Sequence, residues 1–167
     1  EISEDETEIK GNDDCSAYAA FTILLPNDNQ SVYYWTIKNV SSVDCYRSIG
    51  ITSNRGDWKN QNYANWLNDG GFITYSWREN DKGDIPKLHF NGYRREWNKD
   101  ELITLKLDYG RNVLSFFRDK QHIGTAIIDP DKSYYFALLL CADPKNKLKI
   151  VKLDTTCEEF QKDHPVA

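Results

Sequence analysis

The sequence contains no methionine, three histidines, four cysteines and no apolar run longer than a short strand. Each scarcity excludes something. The stretch Tyr134 to Cys141 is among the longest apolar runs, far short of the roughly 20 residues that cross a bilayer as a helix, so no membrane span is expected. Cys15, Cys45, Cys141 and Cys157 are scattered and form no C-x-x-C pair, which argues against a zinc site. His89, His122 and His164 include no pair at metal-ligand spacing. Gly70-Gly71 has neither the lysine nor the helix that cradling a phosphate requires, and reads as a turn. Glycoside hydrolysis needs two carboxylates held about 5 to 10 Å apart. The only dense acidic cluster is Glu4-Asp5-Glu6, in a tail where nothing would hold a pair rigid. The expectation is a protein that is not an enzyme and has no cofactor and no metal. A chain that starts at Glu1 without methionine also reads as an excised fragment or processed product, and no secretory leader precedes Ala17.

What is present describes a globular domain. The 167 residues are 40% hydrophobic, 28% charged and 13% aromatic, and a chain of this length removes roughly 70% of its unfolded surface from water. The net charge of -5 is a property of one end. Residues 1 to 14 hold seven acidic residues against Lys10, a balance of -6 that leaves +1 for the remainder. That segment reads as a solvated, flexible leader. A nearly neutral body offers nucleic acid no broad electrostatic footprint. Cys45 and Cys141 fall in apparent strands, whereas Cys15 and Cys157 lie near the two ends, where a bridge would require the termini to meet. Two triplets, Asn29-Gln30-Ser31 and Asn39-Val40-Ser41, have the form of glycosylation sequons.

Periodicity of two dominates the pattern. In Leu102 to Asp108, the apolar Ile103, Leu105 and Leu107 alternate with Thr104, Lys106 and Asp108, as in a half-buried strand. Asn98-Lys99-Asp100-Glu101 has capping-box spacing, yet a helix would spread residues 103, 105 and 107 around its circumference, so the strand is preferred. Strands are also expected at Ala19 to Leu25, Val32 to Lys38, Tyr46 to Thr52, Phe72 to Ser76, Val113 to Arg118, Gln121 to Ile128, Tyr134 to Leu140 and Lys147 to Ile150. Asp119-Lys120 is a candidate tight hairpin loop. With no long amphipathic helix and no internal repeat, this grammar implies two antiparallel sheets packed face to face.

Two segments break the grammar. Residues 53 to 69 form a connection longer than most and unusually aromatic, and residues 77 to 87, rich in charge, read as a mobile excursion. In the first, Trp58, Tyr63 and Trp66 stand beside Arg55 and Asn60, a mixture of rigid rings and forked polar groups that interfaces favour. The competing reading is that Trp58 or Trp66 folds back to cap one end of the sandwich. Arg94 and Arg95 form a second candidate, able to clamp a carboxylate with Trp97 packed beneath, against a reading in which they are solvated. Trp35 and Phe116 point inward from strands and belong to the core. His122, next to a hairpin, reads as a surface polar residue.

Trp35-Thr36-Ile37, then Ser48-Ile49-Gly50-Ile51, and above all Leu105 to Phe117, resemble a SPRY domain. The family pattern has an early tryptophan strand, an isoleucine-glycine strand, a variable loop, an apolar strand ending in aspartate and a serine-phenylalanine strand after a short turn. Gln121 to Ala126 and Tyr135 to Leu138 are similar to the segments that follow, so the likeness covers residues 31 to 153. Asp119-Lys120 stands where the family commonly has asparagine-glycine, and no proline precedes Ala137. The leucine-aspartate-proline signature of the extended form in tripartite-motif proteins is missing, which points to the bare SPRY type.

The resemblance implies an all-β fold, a bent two-sheet antiparallel β-sandwich with little helix. It divides the chain into the leader at 1–14, a domain at 15–156 and a tail at 157–167. It implies a non-enzymatic interaction module that binds a peptide or partner-protein surface through loops at one edge, as the substrate-recognition or scaffold part of a larger protein, including ubiquitin-ligase complexes. The site expected from this reading is Arg55, Trp58, Asn60, Tyr63, Trp66, Arg94 and Arg95. A monomer in the cytoplasm is expected, with neither nucleic acid nor membrane as partner; a secretory origin is the alternative that the two sequons and four cysteines leave open. The rival is a lectin-like carbohydrate binder, since the same rings and amides can stack on and hydrogen-bond a sugar.

Overall fold

The computed structural model describes residues 8–10, 17–21, 24–41, 47–53, 72–76, 88–90, 97–141 and 145–154. Eleven strands run through them: β1 (Glu8–Lys10), β2 (Ala17–Phe21), β3 (Val32–Asn39), β4 (Arg47–Thr52), β5 (Phe72–Ser76), β6 (Leu88–Phe90), β7 (Leu102–Asp108), β8 (Val113–Arg118), β9 (Gln121–Ile127), β10 (Tyr135–Cys141) and β11 (Lys147–Asp154). A seven-stranded sheet takes the order β1-β11-β3-β7-β8-β9-β6 and a four-stranded sheet the order β2-β10-β4-β5, with every pairing antiparallel. No helix occurs among the described residues, and none is long and apolar enough to cross a membrane.

Alternation builds the core. Trp35 and Ile37 on β3, Ile103, Leu105 and Leu107 on β7, and Leu114 and Phe116 on β8 meet Ile49, Ile51, Phe136 and Leu138 from the smaller sheet in one buried cluster. The ring of Trp35 stacks on that of Phe136, centroids 5.5 Å apart, which fixes β3 over β10. Trp35 and Phe116 are therefore core residues, as their strand positions suggest.

The turns follow from local chemistry. Asp119 and Lys120 both have positive φ, 45° and 73°, the backbone that a two-residue hairpin matched to strand twist demands. The Asp119 carboxylate also accepts the Leu102 N–H at 2.9 Å, tying this turn to the start of β7. At Asn98 to Glu101 the capping-box contact does form, since the Asn98 N–H reaches the Glu101 carboxylate at 2.8 Å. Asp100, at φ 71°, turns the chain out of any helical path and into β7.

Three features depart from the sequence reading. Glu8–Lys10 lies within the segment expected as a flexible leader, yet it pairs with β11 and buries Ile9 in the core. One apolar side chain amid acids is enough to anchor three residues at a sheet edge. Leu88–Phe90 forms β6 on the opposite edge, beyond the excursion expected at 77–87. Finally, the polar positions of β7 are not solvent-facing: Thr104, Lys106 and Asp108 are buried with Tyr34, Ser115 and Phe117 on the face turned away from the smaller sheet. The three polar groups of β7 are paired. Thr104 shares a hydrogen bond with Thr36 at 2.8 Å, and the Lys106 ammonium lies 3.4 Å from the Asp108 carboxylate. A buried polar group is tolerated when it is partnered in this way.

Candidate functional site

The registers define two ends of the sandwich. At one end Val32 lies opposite Asp108, Asp108 opposite Val113, and Val113 opposite Ile127. In the smaller sheet the same end holds Thr52, opposite both Tyr135 and Phe72. The turns at 26–31, 109–112 and 128–134 therefore gather at this end, and the connection between β4 and β5 leaves and re-enters there.

Tyr109 joins the two sheets at this loop end. Its phenol donates to the Leu25 carbonyl at 2.7 Å and accepts the Tyr134 N–H at 2.9 Å, while Leu25 and Tyr134 themselves form an antiparallel bridge. Burial is the main cause that pushes the Tyr109 phenol up to about 12, with the Tyr134 N–H pulling the other way. Desolvation raises Tyr134 as well, and its hydroxyl accepts the Asp129 N–H at 3.0 Å. Tyr33 meets Tyr109 edge-on at 6.0 Å, and Tyr134 stacks near it at 6.4 Å.

Around this clasp the turns are pinned to one another. Asn27 donates its amide to the carbonyls of Pro130 and Lys132 and receives the Asn29 N–H on its oxygen; its backbone N–H reaches the Ser133 hydroxyl. Asp28 accepts the N–H groups of Gln30 and Ser31 and the Ser31 hydroxyl. Those donors, the Ser31 hydroxyl foremost, hold its carboxyl down at about 2. Asn29 adopts φ 64° to close the loop, a conformation asparagine tolerates better than most residues. The rim so formed is exposed, with polar and charged groups beside Leu24, which is 42% exposed, and Ile127, which is 60% exposed. Chemically it offers rigid turns, backbone carbonyls, an anion at Asp28 and apolar patches. Among the described residues no three or more histidine, cysteine, aspartate or glutamate side chains gather as a metal would require.

The opposite end is differently made. Asn39 is 1% exposed and spends its whole side chain inside the fold, donating to the Trp97 carbonyl at 2.6 Å and accepting the Ser41 N–H and hydroxyl. The Trp97 indole donates to the Glu101 carbonyl at 3.0 Å, so this ring belongs to the scaffold. His122, at the β8–β9 hairpin, is half-buried: it shares a hydrogen bond with Thr125 at 2.8 Å and meets the Phe117 ring edge-on.

Arg55, Trp58, Asn60, Tyr63, Trp66, Arg94 and Arg95 all lie outside the described residues, as do Cys15, Cys45 and Cys157. Their flanking strands can be placed. The first five belong to the connection anchored by Thr52 and Phe72 at the loop end, whereas Arg94 and Arg95 fall between Phe90 of β6 and Trp97 at the other end. Trp97, the first described residue after Arg94 and Arg95, lies at the end opposite Thr52 and Phe72. The tyrosine clasp and the Asn27 and Asp28 pins were not anticipated from the sequence. Asn27-Asp28-Asn29 carried a turn signal, but nothing local reveals that Asn27 grips a loop more than one hundred residues away.

No family model matches the chain, and neither does any curated protein sequence. Solved structures do. The neuralized NHR1 domain of Drosophila melanogaster superposes with a TM-score of 0.62 at 14% identity, covering 91% of this chain and 90% of that one. The SPRY domain of human HERC1 gives 0.56 at 16% identity, covering 86% and 87%. The carbohydrate recognition domain of Emp46p in its potassium-bound form gives 0.52 at 11%, covering 86% and 78%. At such identities the likeness speaks for the fold alone: the chain is an all-β sandwich of SPRY type.

Proposed function

We propose that this chain is a non-catalytic protein-interaction module that takes a peptide or a partner-protein surface at the loop end, as the recognition or scaffold part of a larger protein. The observation that carries this reading is the pinned rim: Tyr109, Asn27 and Asp28 hold three turns rigid at the end from which the aromatic connection departs. A preformed platform binds without first ordering its own loops. The rings of the connection that leaves this end would each be worth about 2 kcal/mol or more if a partner buried them. The SPRY-type fold supports the same class of role, since HERC1 carries a domain of this kind. In this proposal Arg55, Trp58, Asn60, Tyr63 and Trp66 supply the contacts.

Cytoplasmic residence belongs to the proposal. Of the two sequon asparagines Asn29 is exposed, while the Asn39 amide is consumed inside the fold. A glycan there has no room. The experiment exchanges Trp58 and Tyr63 for alanine and measures both melting temperature and capture of a peptide selected from a display library. Lost capture with unchanged melting supports the reading. Unchanged capture removes the connection from the site, and melting lowered by several degrees makes the rings structural.

A second reading, carbohydrate binding, rests on the fold shared with the Emp46p carbohydrate recognition domain. Reproducible binding to one sugar class on a glycan array, abolished by Trp66→Ala, would favour it.

A further inference from the structure

The edge of the larger sheet carries a feature that the loop end does not explain. β1 is three residues long and pairs only with Lys147 to Lys149 of β11. From Ile150 to Asp154, β3 is the only described strand that pairs with β11. The register shifts between Ile150 and Lys152, and Val151, at that irregularity, is 51% exposed. Along the same strand stand Lys147, Lys149 and Lys152. Against them β1 sets Glu8, directly opposite Lys149 and 3.9 Å from the Lys147 ammonium.

We propose that this edge of β11 is a docking site for an extended acidic segment of a partner protein, which adds as a strand in the place that β1 holds. Charge complementarity selects the occupant. An edge with three lysines on one strand repels a second copy of itself, the usual function of lysine on exposed edges. The same lysines attract an extended segment rich in glutamate or aspartate, and main-chain hydrogen bonds would supply the rest of the affinity. The chain's own sequence supplies the template: the residues leading into β1 include Glu4-Asp5-Glu6, so β1 acts as a built-in competitor. Its hold is slight. Ile9 is buried, but the Glu8–Lys147 pair is half exposed, and such pairs contribute little. A partner strand that runs on past Lys149 toward Asp154 gains backbone pairing where β1 makes none. The site lies on the sheet edge and begins at the end remote from the aromatic connection, so it stands or falls independently of the loop-end reading.

The test uses a fluorescein-labelled peptide with the sequence of residues 1–10, titrated by polarisation against the whole chain and its variants. Weakening β1 by Ile9→Ala is expected to raise peptide affinity by about tenfold or more over the unaltered chain, because the competing strand is released, and Glu8→Gln by about twofold, the scale of a half-exposed pair. Lys147→Glu with Lys149→Glu should abolish binding, and so should methylation of alternate backbone nitrogens in the peptide. Equal binding of the methylated peptide would reduce the effect to charge adsorption and overturn the proposal. It is equally overturned if the affinity does not change on weakening β1. Should Ile9→Ala fail to fold, the smaller rise expected of Glu8→Gln, a surface change, carries the test, and no rise at all overturns the proposal.

Discussion

The two ends of the sandwich are both tied by a side chain that grips backbone, but they tie different things. At the loop end the Tyr109 phenol reaches across from the larger sheet to Leu25 and Tyr134, so the clasp fixes one sheet against the other. At the far end the Asn39 amide grips Trp97 and Ser41, and the contact stays beside the β3–β7 pair. Among the described residues of the far end, Asn39 and Trp97 spend their polar groups inside the fold. Its counterpart is locked underneath and open above, with a polar rim and exposed Leu24 and Ile127. Rigidity beneath an exposed surface is what a recognition platform needs.

The largest expected effect lies at the far end. Asn39→Ala would remove the hydrogen bonds that Asn39 makes to the Trp97 carbonyl and to the Ser41 N–H and hydroxyl in a buried site, at a cost of about 3 kcal/mol. Thermal melting should fall steeply, while partner affinity of the remaining folded protein stays unchanged. Loss of affinity equal to that of a loop-end variant would break the distinction between the ends.

Tyr109→Phe is expected to cost about 2 kcal/mol, since it leaves the Leu25 carbonyl and the Tyr134 N–H unpaired. Here stability and affinity should fall together, because the turns above lose their common anchor. The same residue sets an alkaline limit. Its phenol ionises near 10.0 when unfolded and at about 12 in the fold, so the folded state keeps a proton that the unfolded state has released. Stability from this group is intact below pH 10.0 and declines as the pH rises toward about 12. Denaturant titrations across that window should show the decline in the parent chain and a shallower one in Tyr109→Phe.

Lys120→Gly gives the smallest change and the opposite sign. Lysine at φ 73° is strained where glycine is not, so stability should rise by about 0.5 to 1 kcal/mol. Affinity should not move. A gain in affinity would mean that the β8–β9 hairpin, at the far end, communicates with the rim.

Much of the frame was legible because its signals are local. Ile103, Leu105 and Leu107 announce β7, and Asp119-Lys120 announces a hairpin that adopts the backbone its position requires. Short strands escaped because three residues carry almost no periodicity: Ile9 is a single apolar residue in an acidic run, and Leu88–Phe90 is too brief to register. Alternation also misled about Thr104, Lys106 and Asp108. It correctly gives the face on which a side chain lies, but not whether that face meets water. The rim was illegible for a further reason. Asn27 and Pro130, or Tyr109 and Leu25, are joined only by the fold, and no spacing along the chain encodes the pair.

The central claim is that the loop end, and not the Asn39 end, meets the partner. Backbone amide shifts recorded during titration with a display-selected peptide test it most directly. The account predicts that perturbed amides cluster at 24–31, 109–112 and 128–134 while those at 39–41, 98–101 and 119–121 stay still. The reverse distribution would contradict it.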